Sequence, residues 1–152
     1  MKENRKIMNA TPEDAEGRHF RSRLEAKAYR MMLDAGLAPE YEAMTIDLVA
    51  AFRPNEDWLL DGKSNIGGKG KRRAVKTQRA ITYTPDFCIR DGDTVSIIEI
   101  KGFSNDVYPY KRKLLLKWLD GKKGWRFYEV HTVSGMKRTI NDINERNEQG
   151  KK

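Results

Sequence analysis

From Ser22 to Ala35 the apolar residues Leu24, Ala28, Met31, Met32 and Ala35 recur at helical spacing. Ser22, with Glu25 three residues on, has the form of a capping box that would start this helix, and Gly36 would stop it. Pro39 to Phe52 changes to extended structure, with Tyr41, Ala43 and the run from Ile46 to Phe52 supplying strand-type residues. Arg53 to Ala80 has no rhythm; Pro54, Gly62, Gly67, Gly68 and Gly70 mark it as loop. Ile81 to Arg90 reads as a strand interrupted by Pro85, Asp91-Gly92-Asp93 as a turn, and Thr94 to Lys101 as the returning strand of a hairpin. Asn105 to Leu119 is helical, with Leu114, Leu115, Trp118 and Leu119 as its buried stripe. Trp125 to Val133 is a last strand, and Met136 to Asn147 a weak terminal helix carrying Ile140 and Ile143. The expected architecture is α/β, a mixed β-sheet flanked by α-helices, in a single domain over residues 19–147. Residues 1–18 are expected to be a flexible polar arm and 148–152 a disordered tail.

Charge narrows the partners. Thirty Lys and Arg against 22 Asp and Glu leave a formal net charge of +8, which favours a polyanion, and nucleic acid is the commonest one. Within the loop inserted at about 53–80, the stretch from Gly62 to Ala80 carries Lys63, Lys69, Lys71, Arg72, Arg73, Lys76 and Arg79 and no acid. It reads either as a solvated loop or as a segment gripping phosphates. Gly62 to Gly68 faintly resembles a P-loop but lacks the Lys-Ser/Thr pair that loop requires. The longest purely apolar run is Leu48 to Phe52, far short of a membrane span, and the charged N-terminus shows no signal peptide. Cys88, the single cysteine, excludes an internal disulfide and reads as a small buried strand residue. The expectation is a soluble, cytoplasmic protein without a membrane partner.

The chemistry concentrates in two short blocks, Tyr83-Thr84-Pro85-Asp86-Phe87 and Glu99-Ile100-Lys101-Gly102. In the second, Val95, Ile97, Glu99 and Lys101 share one strand face and Ser96, Ile98 and Ile100 the other, the pattern of a central strand covered on both sides. A glutamate and a lysine ending such a strand are costly unless they are paired or bind something. The bland alternative is a Glu99–Lys101 ion pair at the rim. With Asp86 on the preceding strand, the two carboxylates and the carbonyl of Ile100 offer hard oxygens to Mg²⁺, or to Mn²⁺ in its place. Lys101 would orient or deprotonate an attacking water and offset charge on a scissile phosphate.

Pro85-Asp86 followed by Glu99-x-Lys101 resembles the signature of the PD-(D/E)xK nuclease superfamily. Together with Phe20-Arg21-Ser22-x-Leu24-Glu25 and the basic Lys111-Arg112-Lys113-Leu114, the blocks are similar to phage Holliday-junction resolvases of the endonuclease I type and to related small phage nucleases. The resemblance spans roughly Phe20 to Val130. It implies a restriction-endonuclease-like sheet and a catalytic set of Glu25, Asp86, Glu99 and Lys101, with Glu25 also a metal ligand. It also implies a homodimer acting on branched DNA, in a phage-infected bacterial host. The segment at about 53–80 is an insertion relative to the compact resolvases.

Arg21, Lys111 and Arg112 join the loop's basic residues as candidate nucleic-acid contacts. Trp118 and Trp125 read as core, Trp58 as either packing or base stacking, and His19 and His131 as structural or surface residues without metal-ligand companions. Three functions follow: a junction endonuclease, a nicking or double-strand phage nuclease without junction specificity, and a non-catalytic DNA-binding module.

Overall fold

The computed structural model describes residues 11–55, 77–102 and 105–151, and the backbone of 58–60 and 72–74. A short antiparallel hairpin comes first, β1 (Glu13–Ala15) with β2 (Arg18–Phe20). Helix α1 (Arg23–Asp34) follows, then β3 (Glu40–Tyr41) and β4 (Ile46–Val49). Strands β5 (Trp58–Leu60) and β6 (Arg72–Ala74) pair antiparallel with each other. Next come β7 (Ile81–Tyr83), β8 (Phe87–Asp91) and β9 (Thr94–Ile100). Helix α2 (Tyr108–Leu119), β10 (Trp125–Val130) and α3 (Val133–Gly150) complete the chain.

The central sheet is mixed, in the order β10-β9-β8-β3. Strand β9 runs parallel to β10 and antiparallel to β8, which is antiparallel to β3. Gly92, at φ 56°, opens the two-residue turn joining β8 to β9. Every residue of β9 from Val95 to Ile100 is buried, as a strand covered on both faces must be. One face packs Phe87, Ile89, Ile98 and Ile100 against Phe20, Ala28 and Met32, and against Met136, Ile140 and Ile143 of α3. The other packs Cys88, Val95 and Ile97 against Ile46, Tyr83, Tyr108 and Leu115. The molecule is therefore mixed α/β, with a mixed sheet and three helices among the described residues.

Helix α1 follows the expected course. Ser22 caps it, its hydroxyl accepting from the Glu25 N–H at 3.1 Å. Gly36, at φ 76°, ends it while the Leu37 N–H returns to the Met32 carbonyl at 3.0 Å.

Several expectations are corrected. The arm expected through Arg18 is a hairpin from Glu13 onward; Ala15 and Phe20 enter the core, and Arg30 of α1 binds Glu13 at 2.9 Å. Residues 1–10 lie outside the described part. The strand expected from Ile81 to Arg90 is two strands in different sheets: β7 joins β4, and β8 joins β9. Pro85 causes the break, because it has no N–H for a ladder. The extended segment from Pro39 is broken at Glu42, whose φ of 47° is left-handed and whose N–H donates to the Asp86 carbonyl at 2.9 Å.

The loop expected at 53–80 contains the β5–β6 pair and a bridge between Phe52 and Gln78. In α2, Tyr108 and Leu115 are the buried residues, with Leu114, Trp118 and Leu119 half-buried. The terminal helix starts early, at Val133, because the Thr132 hydroxyl accepts from the Gly135 N–H at 2.9 Å. It continues through Gly150, over most of the expected tail.

Candidate active site

The register of the β8–β9 hairpin builds the site. Phe87 faces Ile98, so continuing the ladder puts Asp86 opposite Glu99 and Pro85 opposite Ile100. Pro85 has no N–H to offer the Ile100 carbonyl, while the Ile100 N–H is taken by a side chain: Asp86 Oδ2 accepts it at 2.7 Å. In an extended residue N–H and C=O point the same way. The Ile100 carbonyl therefore faces the Asp86 edge, where proline supplies no donor.

Glu99 and Asp86 are only 5% and 8% exposed. The Tyr83 hydroxyl donates to Glu99 Oε2 at 2.5 Å, and Lys101 Nζ lies 2.6 Å from Glu99 Oε1. The ammonium also sits over the Tyr108 ring, 4.1 Å from its centroid. The Glu99–Lys101 ion pair of the bland alternative thus exists, with Glu99 buried and the lysine side chain half-buried at 17% exposed.

Glu25 arrives from the first turn of α1 and is 7% exposed. Its Oε1 accepts from the Ser22 hydroxyl and its Oε2 from the Tyr41 hydroxyl, each at 2.7 Å, with the Arg21 N–H at 3.3 Å. The carboxylate is thus divided, Oε1 serving the cap residue Ser22 and Oε2 reaching Tyr41. Arg21 lies at the rim, its guanidinium paired with Glu42.

Burial pushes the Asp86 carboxyl up to about 8, and the negative charges of Glu99 and then Glu25 push the same way. The Ile100 N–H and Lys101 oppose that rise. Burial first, and the neighbouring negative charges second, thus disfavour an ionised Asp86, and a cation beside it would offset both. Burial, then the Glu99 charge, likewise raise the Tyr83 hydroxyl far above its usual range and keep it a donor.

Asp86, Glu99, Lys101 and the Ile100 backbone are brought together, with Glu25 within electrostatic reach of Asp86. As the side chains stand, no three His, Cys, Asp or Glu among the described residues form a group that could hold a metal ion. The carboxylates are turned toward Tyr83, Lys101, Ser22 and Tyr41 instead. The donor set itself, carboxylate and carbonyl oxygens with a surplus of negative charge, suits a hard divalent cation.

Sequence reasoning assigned no role to Tyr41 or Tyr83. The available signal was chemical: a buried tyrosine must place its hydroxyl, and Glu99 and Glu25 are the buried acceptors.

The candidate nucleic-acid contacts divide. Arg21 and Arg79 are exposed. Lys111 Nζ donates to the Thr82 carbonyl at 2.9 Å, and Arg112 binds Glu129 at 3.0 Å, so both also have work inside the fold. Lys63, Lys69, Lys71 and Lys76 lie outside the described residues, as do the side chains of Arg72 and Arg73, which sit on β6. His19 binds Asp14 and His131 binds Glu129, at 2.7 and 2.8 Å. Trp118 and Trp125 pack edge to face at 5.3 Å, and Cys88 is fully buried.

The chain belongs to the family described as "Protein of unknown function (DUF1064)", which it matches over residues 5–132. It has no match among curated proteins or solved structures. Among the described residues no helix is long and apolar enough to cross a membrane.

Proposed function

We propose that the chain is a metal-dependent DNA endonuclease of the PD-(D/E)xK type, with a restriction-endonuclease-like sheet. The observation that carries this reading is three buried carboxylates, Glu25, Asp86 and Glu99, near enough for the charges of Glu99 and Glu25 to act on Asp86, with the Lys101 ammonium beside Glu99 in a chain of net charge +8. Burying like charges together is expensive for stability and has no purpose in a module that only needs to attract phosphates. Asp86, Glu99 and the Ile100 carbonyl would hold Mg²⁺ or Mn²⁺, with Glu25 as a further acid. Such a cation, when bound, would make a nearby water more acidic and offset charge on the phosphate. Lys101, as the ammonium that Glu99 holds in place, would orient the attacking water and offset charge on the scissile phosphate, and Arg21 at the rim would meet the DNA backbone. The resemblance to junction resolvases makes branched DNA the favoured substrate, cut by a homodimer in phage recombination or replication.

The test is cleavage of a four-way junction and of linear duplex of the same sequence, with Mg²⁺ and with EDTA. Asp86→Ala and Lys101→Ala are expected to lose cutting at least a hundredfold while still binding DNA. Unchanged cutting in either variant refutes the assignment. Equal cutting of duplex and junction leaves a nicking or double-strand nuclease. A non-catalytic DNA-binding module is the second reading, favoured by one observation: Glu99 already has two partners, Tyr83 and Lys101. It requires salt-sensitive binding with no metal-stimulated cleavage.

A further inference from the structure

Lys101 has two supports of different kinds. One is Glu99, an ion-pair partner at 2.6 Å. The other is the ring face of Tyr108, 4.1 Å from the ammonium. Under the nuclease reading Glu99 is also a metal ligand, so a bound cation competes with Lys101 for the same oxygens. A ring face offers nothing to a hard dication and still attracts an ammonium through its quadrupole.

The ring is itself immobilised. Tyr108 is 4% exposed, at the start of α2, where its N–H donates to Asn105 Oδ1 at 2.8 Å. Its hydroxyl donates to Glu129 Oε2 at 2.7 Å. Glu129 stands beside Glu99 in the β9–β10 register and is braced by Arg112 and His131.

We propose that Tyr108 is a positioning residue for Lys101: its ring, fixed by burial with the hydroxyl bond to Glu129 as a secondary tether, keeps the ammonium at the site when Glu99 turns to a metal. This rests on the nuclease reading for its consequence, but its geometry does not. It also gives Arg112 a task other than gripping phosphate, namely bracing the carboxylate that anchors the ring.

The experiment has an arm independent of DNA. In metal-free wild-type protein, side-chain NMR of Lys101 is expected to show upfield ring-current shifts, retained in Tyr108→Phe and lost in Tyr108→Leu. Lys101 resonances at random-coil positions in the wild type overturn the positioning and leave the nuclease reading standing.

In the cleavage arm, Tyr108→Phe is expected to keep kcat within threefold and Tyr108→Leu to lose tenfold or more, with KM for DNA unchanged in both. Replacement of Tyr108 by pentafluorophenylalanine, which keeps the size and reverses the quadrupole, guards against a Leu variant that folds poorly; a loss resembling that of Leu supports the proposal. A fluorinated variant as active as Phe overturns it. A wild-type chain that cuts no DNA overturns the nuclease reading and the positioning role together, whatever the NMR shows.

Discussion

Asp86→Asn is expected to make the metal-free protein more stable, and increasingly so as the pH rises. The Asp86 carboxyl sits at about 8 in the folded chain against an ordinary 3.8. A folded value above the unfolded one means that its contribution is fully present below about 3.8 and is lost as pH climbs through about 8. Across that window the folded state holds one proton more than the unfolded chain. Linkage then lowers wild-type stability by at most about 1.4 kcal/mol per pH unit. Asparagine has nothing to titrate there, and its carboxamide oxygen can still accept the Ile100 N–H. Between about pH 5 and pH 7.5 the variant should gain roughly 3 kcal/mol on wild type as a ceiling, the limit of one full proton. For a domain of this size that is roughly 6–12 °C in midpoint. The assay is thermal and urea unfolding of both proteins in EDTA at the two pH values. A gap that does not grow with pH, or a variant less stable at the higher pH, would refute the claim that burial and the neighbouring carboxylates raise the Asp86 carboxyl. Added Mn²⁺ should raise the wild-type midpoint and leave that of the variant nearly still.

Tyr83→Phe leaves one Glu99 oxygen without its donor, and should cost about 1–2 kcal/mol in urea unfolding with the m-value unchanged; no measurable cost would mean that the 2.5 Å contact carries no energy. Two glycines separate backbone conformation from close approach. Gly17 and Gly124 both have left-handed φ, but an added Cβ meets nothing within 4 Å at Gly17 and comes within 2.4 Å of the Asp93 carbonyl oxygen at Gly124. Gly17→Ala should therefore cost about 1–2 kcal/mol and Gly124→Ala clearly more, with equal costs counting against the close approach of that turn.

The elements legible in the sequence were those with local causes. The Ser22–Glu25 box and Gly36 bound α1 without help from the rest of the fold, and the alternation of Val95 to Lys101 gave both the strand and its double coverage. The hairpin that faces Asp86 with Glu99 followed from Asp91-Gly92-Asp93. What escaped depended on distant partners. The β1–β2 hairpin is too short and polar to declare itself, and is held by Phe20 and Ala15 reaching a core that the sequence does not outline. Pro85 was legible as an interruption, but that β7 and β8 would part into separate sheets depends on β4 being there to receive β7. At the site, Asp86, Glu99 and Lys101 could be read from spacing. Tyr41, Tyr83 and Tyr108 could not, because aromatic residues in strands and helices serve the core far more often than a carboxylate.

The sheet is left unlatched at one place by a single missing hydrogen atom. An ordinary residue in the position of Pro85 would bring an amide that could zip the seam one rung further and occupy the oxygen of Ile100. Asp86, bonded to the Ile100 N–H, would keep its own contact, and only the oxygen would be lost to an ion. The lack of an amide donor at this rung is thus a property of the backbone, set before any acidic side chain is counted.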